Sequence, residues 1–312
     1  MTSSSIPDKI APLVSAVRDR FSGVLGLAAA NLATGEEIAV EADRTFPTAS
    51  AFKIPVMVEV FRQERAGHLR LDERLELRPS DLVRGSGVLR DLMPGLTPTI
   101  YDLAMLMIVV SDNTATNMLI DRVGGIEPIN RTMQERLGLS SIVVHNRIDF
   151  DLIGDDNRRI AEASPRDLMR LCALIAREEL IDAEASRQML AIMRRQHYLD
   201  QVPRYIEYNP YGPEFNLPQP VWFANKTGGL PGMRSDAGVI SLPGDVRIAY
   251  CTMTEHSADT GFTFENEAEI TNGILGRILV EYWWPGDWAA AGVGRSSPYV
   301  DAVLGSAGAV RA

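Results

Sequence analysis

Apolar residues recur along this chain in two rhythms, and the order of those rhythms outlines the fold. Over 7–21, Ile10, Leu13, Val14, Val17 and Phe21 form one helical stripe. Two strands follow, over 23–31 and 37–41, joined by the turn Ala33-Thr34-Gly35. The stretch 53–64 reads as a helix, with Pro55 in the first turn, where a missing N–H has no partner to lose. Helical spacing dominates roughly 56–200, including 99–110, 114–123, 128–137 and 164–178. Ser164-Pro165 supplies an N-cap and a first-turn proline. Residues 200–220, rich in Tyr, Pro and Asn, read as a loop. Strands return over 221–227, 236–242 and 247–254, followed by a helix over 265–284 and a Gly/Ala/Ser-rich tail.

Strands at both ends and helices between them predict an α+β fold of three layers. The terminal strands join into one antiparallel sheet covered by the first and last helices. The expected division is 1–55 with 215–285 as the α/β lobe, 56–214 as a helical lobe, and 286–312 as a mobile tail. A cleft between two lobes is where ligand sites often form.

Composition narrows the function. A length of 312 residues allows a large core or two lobes. The net charge of −10, with no basic stretch to offset it, argues against nucleic acid or an anionic membrane as a main partner. No apolar run reaches transmembrane length, and the first residues lack an apolar signal-peptide core, so a cytoplasmic chain is expected, or a secreted one if its leader was removed. Cys172 and Cys251 read as free and buried, and His68, His145, His197 and His256 show no metal-ligand spacing. Neither metal nor cofactor is expected, and the chain reads as a monomer.

Lysine supplies the sharpest clue. The 31 basic residues include only three lysines, Lys9, Lys53 and Lys226. Arginine stays charged in a protein, whereas a buried lysine can be brought toward neutrality and act as a base. Lys53 lies in Ser50-Ala51-Phe52-Lys53, which puts hydroxyl and amine one turn apart on one helix face. An amine there can take the serine proton and make Ser50 a nucleophile. Ser111-Asp112-Asn113 follows an apolar helix. Ser111 could relay a proton to a leaving group while Asn113 holds a substrate amide. Lys226-Thr227-Gly228-Gly229 ends a strand. Lys226 and Thr227 would bind a carboxylate there, Gly228 would allow close approach, and the Gly229 N–H would complete an oxyanion hole with that of Ser50. Taken singly, each motif reads as a cap or a turn.

Together, SxxK, SDN and KTG are a known signature, and the chain resembles the class A serine β-lactamase family over roughly 10–285. Phe46-Pro47-Thr48-Ala49-Ser50, Gly85-Ser86-Gly87-Val88-Leu89 and Ser111-Asp112-Asn113-Thr114-Ala115-Thr116-Asn117 carry the resemblance further. It implies a five-stranded sheet flanked by helices beside an all-helical lobe. It also implies a serine hydrolase that opens a carboxylated small-molecule amide, such as a β-lactam or an acyl-peptide, through an acyl-enzyme on Ser50.

The resemblance also asks for a deacylating base in an Arg-x-Glu motif. The matching stretch is Arg147-Ile148-Asp149, so Asp149 is the candidate, with Asp151 and Glu162 as substitutes. Arg234 lies a position or two from where the family often has a carboxylate-binding arginine. The aromatic segment 198–220, with Tyr198, Tyr205, Tyr208, Tyr211 and Phe215, reads as a surface loop or one wall of the cleft. Two alternatives to a β-lactamase stand: an SxxK amidase, esterase or D,D-peptidase with poor β-lactam turnover, and a non-catalytic binding module.

Overall fold

The computed structural model describes residues 5–207, 209–217, 219–284 and 297–304. The chain opens with α1 (Ala11–Arg20), then β1 (Val24–Asn31) and β2 (Glu37–Val40), close to the predicted bounds. A two-residue strand β3 (Phe46–Pro47) and a single turn over Ala49–Phe52 lead into α2 (Lys53–Arg65). The helical part continues through α3 (Ile100–Val109), α4 (Asn113–Arg122) and α5 (Ile126–Arg131). After β4 (Val143–Val144) come the one-turn α6 (Phe150–Ile153), β5 (Ala161–Ala163), α7 (Pro165–Ala176) and α8 (Ala183–Met193). A hairpin of three long strands, β6 (Trp222–Leu230), β7 (Met233–Leu242) and β8 (Val246–Glu255), precedes α9 (Glu267–Trp283).

The five long strands form one antiparallel sheet in the order β2-β1-β8-β7-β6. The α+β expectation holds. The sheet's faces are sorted by side-chain size. Leu25, Leu27, Ile240, Ile248 and Tyr250 join the apolar layer formed with α1 and α9. Ala28, Ala30, Ala237, Ala249 and Cys251 join the layer that includes α2, α3, α4 and α7. Small residues on that second face let α7 sit close. A Cβ on Gly26 would lie 2.6 Å from the Phe46 ring and 2.8 Å from Pro165, so glycine is required there.

Three features depart from the predicted pattern. The stretch 67–98 is irregular apart from two single turns, Pro79–Asp81 and Leu89–Asp91. Its apolar residues alternate with Pro79, Pro94, Pro98 and four glycines, which interrupt helix propagation. The strands β3, β4 and β5 form a second, small sheet that two or three residues per strand could not announce. Within the expected tail, Pro298–Leu304 is a helix, with Val300 and Val303 buried in the α1/α9 layer. The remainder of that tail lies outside the described residues.

The 198–220 segment divides. Val202 and Tyr205 are buried against α9, while Tyr211 and Phe215 are exposed. Tyr208 lies outside the described residues. Cys172 and Cys251 are free and buried, and burial pushes both thiols up, away from reactivity.

Candidate active site

Ser50 sits in the turn Ala49–Phe52 that enters α2, and two neighbouring strands, β6 and β7, hold that turn. Ala49, the residue before it, holds φ at +41°, a conformation that side chains other than glycine rarely adopt. The Thr48 carbonyl accepts from Ser235 Oγ at 2.6 Å, tying the turn to β7. The edge strand β6, whose Gly228 is the register partner of Ser235, presses against the same turn. A Cβ on Gly228 would lie 2.8 Å from the Ser50 nitrogen and 2.6 Å from the Thr48 oxygen. The KTG motif and the Ser50 backbone are therefore in direct contact, and only glycine permits it.

Lys53 is fully buried and spends its ammonium on the SDN motif. It donates to the Ser111 carbonyl at 2.7 Å, Ser111 Oγ at 3.0 Å and Asn113 Oδ1 at 2.8 Å. Burial is the main reason its pKa falls well below 10.5, with the charge of Lys226 adding to the fall and Asp112 opposing it. Ser111 stands in the left-handed region at φ +55°, between α3 and α4. Strained backbone of this kind costs about 1–3 kcal/mol and concentrates at functional sites.

Three residues without assigned roles brace this centre. Ser86 Oγ donates to the Ser111 carbonyl at 2.7 Å and to Asn113 Oδ1 at 3.2 Å. Asp112 caps α4 through Ala115 and also accepts from the Val88 and Leu89 amides, which fastens the 85–89 loop over the site. Asn117 binds the Ile148 peptide on both edges, at 2.8 and 2.9 Å. The Gly-Ser-Gly run and an asparagine one helical turn after Asn113 were the visible signals for two of these. Asn113 itself donates from Nδ2 to the Arg84 carbonyl at 2.9 Å, so its carboxamide is held at both ends.

Lys226 is fully buried, and burial lowers its pKa to about 7 against the opposing pull of Asp236 and Asp200. Its Nζ donates to the Thr227 carbonyl at 2.7 Å. Thr227 is buried on the same strand. Arg234 borders Gly229, whose Cβ would lie 3.3 Å from Arg234 Cδ. Its guanidinium, however, is committed elsewhere. It pairs with Glu269 at 2.7 Å, donates to the carbonyls of Leu230, Met233 and Gly261, and stacks 4.5 Å from the Phe262 ring. Four of the five guanidinium N–H groups are thus used, and Arg234 ties the β6–β7 hairpin to α9.

The family model for beta-lactamase enzymes matches residues 7–283, from ahead of α1 to the end of α9. The chain belongs to the beta-lactamase enzyme family. A solved beta-lactamase from Sphaerobacter thermophilus is 28% identical with a TM-score of 0.78, covering 89% of this chain and 97% of its own. PBP-A is similar too. A point mutant of it, solved as an acyl-enzyme complex with penicillin G, is 27% identical with a TM-score of 0.77 over 92% of this chain and all of its own. A class A beta-lactamase from Mycobacterium abscessus shares the fold at 20% identity and a TM-score of 0.74 over 86% of this chain and 97% of its own.

Against that family background, the three carboxylates considered for the deacylating step are all employed structurally. Asp149 is exposed and acts as the N-cap of α6, accepting from the Asp151 and Leu152 amides at 3.0 and 3.2 Å. Asp151 pairs with Arg84 at 2.6 Å. Glu162, on β5, pairs with Arg158 at 3.0 Å and lies 3.5 Å from His145. Beside Asn113 the loop presents the Phe150 ring: the Cβ that Gly85 lacks would touch both groups. Among the described residues, no cluster of His, Cys, Asp or Glu could hold a metal, and no helix is long and apolar enough to cross a membrane.

Proposed function

We propose that this chain is a penicillin-recognising serine hydrolase that acylates readily on Ser50 and hydrolyses the resulting ester slowly. The observation that carries the reading is Lys53: fully buried, lowered in pKa, one turn from Ser50, and bonded to Ser111 at both carbonyl and hydroxyl. Neutral Lys53 would take the Ser50 proton as Oγ attacks the substrate carbonyl carbon. The N–H groups of Ser50 and Gly229 would receive the developing oxyanion. The proton would pass from Lys53 through Ser111 Oγ to the departing amide nitrogen as its bond to carbon breaks. Lys226, with Thr227, would anchor the substrate carboxylate, and Asn113 would hold its amide side chain.

Slow hydrolysis follows from the loop. Removal of the acyl group needs a base to aim water at the ester, and Asp149, Asp151 and Glu162 are each engaged in a cap or an ion pair. The likeness to PBP-A, a mutant of which was trapped with penicillin G, supports the acylation half. A second reading, a β-lactamase with rapid turnover, is favoured by the similar Sphaerobacter enzyme named as one. Intact-mass measurement with benzylpenicillin tests the first step: the chain gains one penicillin mass and Ser50→Ala gains none. An adduct of equal yield on Ser50→Ala would remove Ser50 from the mechanism.

A further inference from the structure

Behind the KTG strand lies a buried carboxylate with no part in the chemistry above. Asp236 on β7 is fully buried and pairs in register with Thr227, the residue after Lys226. Its side chain lies on the α9 face of the sheet, whereas Lys226 lies on the opposite face with Ala224. Three donors converge on it: Asn225 Nδ2 at 2.9 Å, the Val202 amide at 3.0 Å and the Tyr250 hydroxyl at 3.2 Å. None of the three is a cation. Asn225 Oδ1 and Thr252 Oγ1, both beside Asp236, find no partner among the described residues. Asn225 thus gives its side-chain hydrogen bond to Asp236.

A buried carboxylate held by neutral donors costs stability unless a positive charge acts on it. The cation in a position to do so is Lys226, through one thickness of sheet, where low polarity lets charges act over several ångströms. We propose that Asp236 is a positioning residue for Lys226, keeping its ammonium in the charged form that grips a substrate carboxylate. This rests on the reading of Lys226 as the carboxylate anchor. The other charged or titratable groups around Asp236 fit the assignment. Arg234, on the same strand, is paired with Glu269 of α9. Arg204 donates to the Asp200 carbonyl and to Tyr205. Tyr250 of β8 and Cys172 of α7 are pushed up by burial and stay neutral. Asp200 acts on Lys226 in the same sense as Asp236, as the smaller influence. Burial raises Asp236 to about 7 against the hydrogen bonds from Asn225, Val202 and Tyr250, so its pull on Lys226 develops fully only above that pH.

The three-lysine composition makes this directly measurable. Lysine labelled with 13C at Cε gives three side-chain signals in the full chain, and Lys226→Arg identifies that of Lys226. In Asp236→Asn the Lys226 titration midpoint falls by about one pH unit or more, the usual effect of removing a nearby opposite charge. Exchanging the pair, with Asn225→Asp and Asp236→Asn together, restores the midpoint. The half-saturating benzylpenicillin concentration for acylation at pH 7.5 rises ~10-fold in Asp236→Asn, while the limiting rate changes less than ~3-fold, because the loss is in ground-state binding. Should Asp236→Asn not fold, Tyr250→Phe moves the midpoint the same way by a smaller amount. An unmoved midpoint in the folded variants overturns the inference. A moved midpoint with unchanged half-saturation overturns Lys226 as the carboxylate anchor instead, and leaves the link from Asp236 to Lys226 intact.

Discussion

Lys53 donates to the Ser111 carbonyl at 2.7 Å and to the Ser111 hydroxyl at 3.0 Å, locking the candidate base and the candidate proton relay together in a fully buried site. Both groups sit on rigid elements, the first residue of α2 and the junction of α3 with α4. Removing the amine therefore removes the proton acceptor without loosening Ser50, which β6 and β7 hold independently. Lys53→Ala is expected to slow acylation by benzylpenicillin ~10²–10⁴-fold, the range for loss of a general base. Stopped-flow acylation rates check this, and a loss under 10-fold would assign the proton elsewhere.

The two glycines of the third motif differ in what surrounds them. Gly228 has the Thr48 oxygen and the Ser50 nitrogen within 2.8 Å of where a Cβ would stand, and both are backbone. Gly229 faces only the Arg234 side chain, at 3.3 Å and beyond. Gly228→Ala should reduce acylation at least ~100-fold, the scale of a 1 Å misplacement at a reacting centre. Gly229→Ala should cost less than ~10-fold. Similar losses for both variants would contradict the contact between β6 and the Ser50 turn.

Asp149 and Asn117 separate capping from catalysis. Asp149→Ala removes an N-cap and should lower stability by about 1 kcal/mol, leaving the decay rate of the acyl-enzyme within ~3-fold. Asn117→Ala strips both hydrogen bonds from the buried Ile148 peptide and should cost about 1–3 kcal/mol. Urea unfolding and acyl-enzyme lifetime, measured on the same samples, decide the matter. A much longer lifetime in Asp149→Ala would return Asp149 to the role of base.

Lys226 ties stability to pH. Burial lowers it from 10.5 to about 7. Between those values the unfolded chain holds a proton that the folded chain has released. The folded state gains stability as pH rises through that window and bears the full penalty at and below pH 7. With Asp236 made neutral as well, Lys226→Met in the Asp236→Asn background should therefore be more stable at pH 7 than Asp236→Asn alone, by about 1–2 kcal/mol, with the gain shrinking toward pH 10. Urea unfolding at the two pH values checks the sign, and a gain that grows with pH would contradict it.

The same lysine gives recognition its own pH dependence. Only the protonated amine attracts a carboxylate, so half-saturation for benzylpenicillin should worsen as pH rises above about 7. An uncharged methyl ester of the same penicillin should show no such trend. Parallel trends for both would detach Lys226 from carboxylate binding.

Much of this was legible in the sequence because periodicity and motif spacing are local. Ile10 to Phe21 reads as a helical stripe, and 221–227, 236–242 and 247–254 read as strands, the last two joined by a turn, because each buries a face over seven or more residues. SxxK places Ser50 in the turn that enters α2 and Lys53 on its first residue, a spacing visible in the sequence alone. What escaped was long-range. Nothing near Asn117 reveals that it grips Ile148, 31 positions later, and nothing around Asp236 marks it as lying behind Lys226. Asp149 matched a motif position by spacing, yet capping competes for any Asp that precedes a helical turn. Arg234 stands out in the sequence by its proximity to the KTG motif, but its ion pair with Glu269 depends on where α9 docks.

The central claim, ready acylation and slow release, is tested most directly by one time course. The chain is mixed with excess benzylpenicillin, intact mass is followed from seconds to hours, and penicillin loss is recorded in parallel. The account predicts an adduct on Ser50 that forms within minutes, persists, and is accompanied by little penicillin loss beyond one equivalent of enzyme. Rapid, sustained loss of penicillin with no lasting adduct would contradict it and require a working deacylation base.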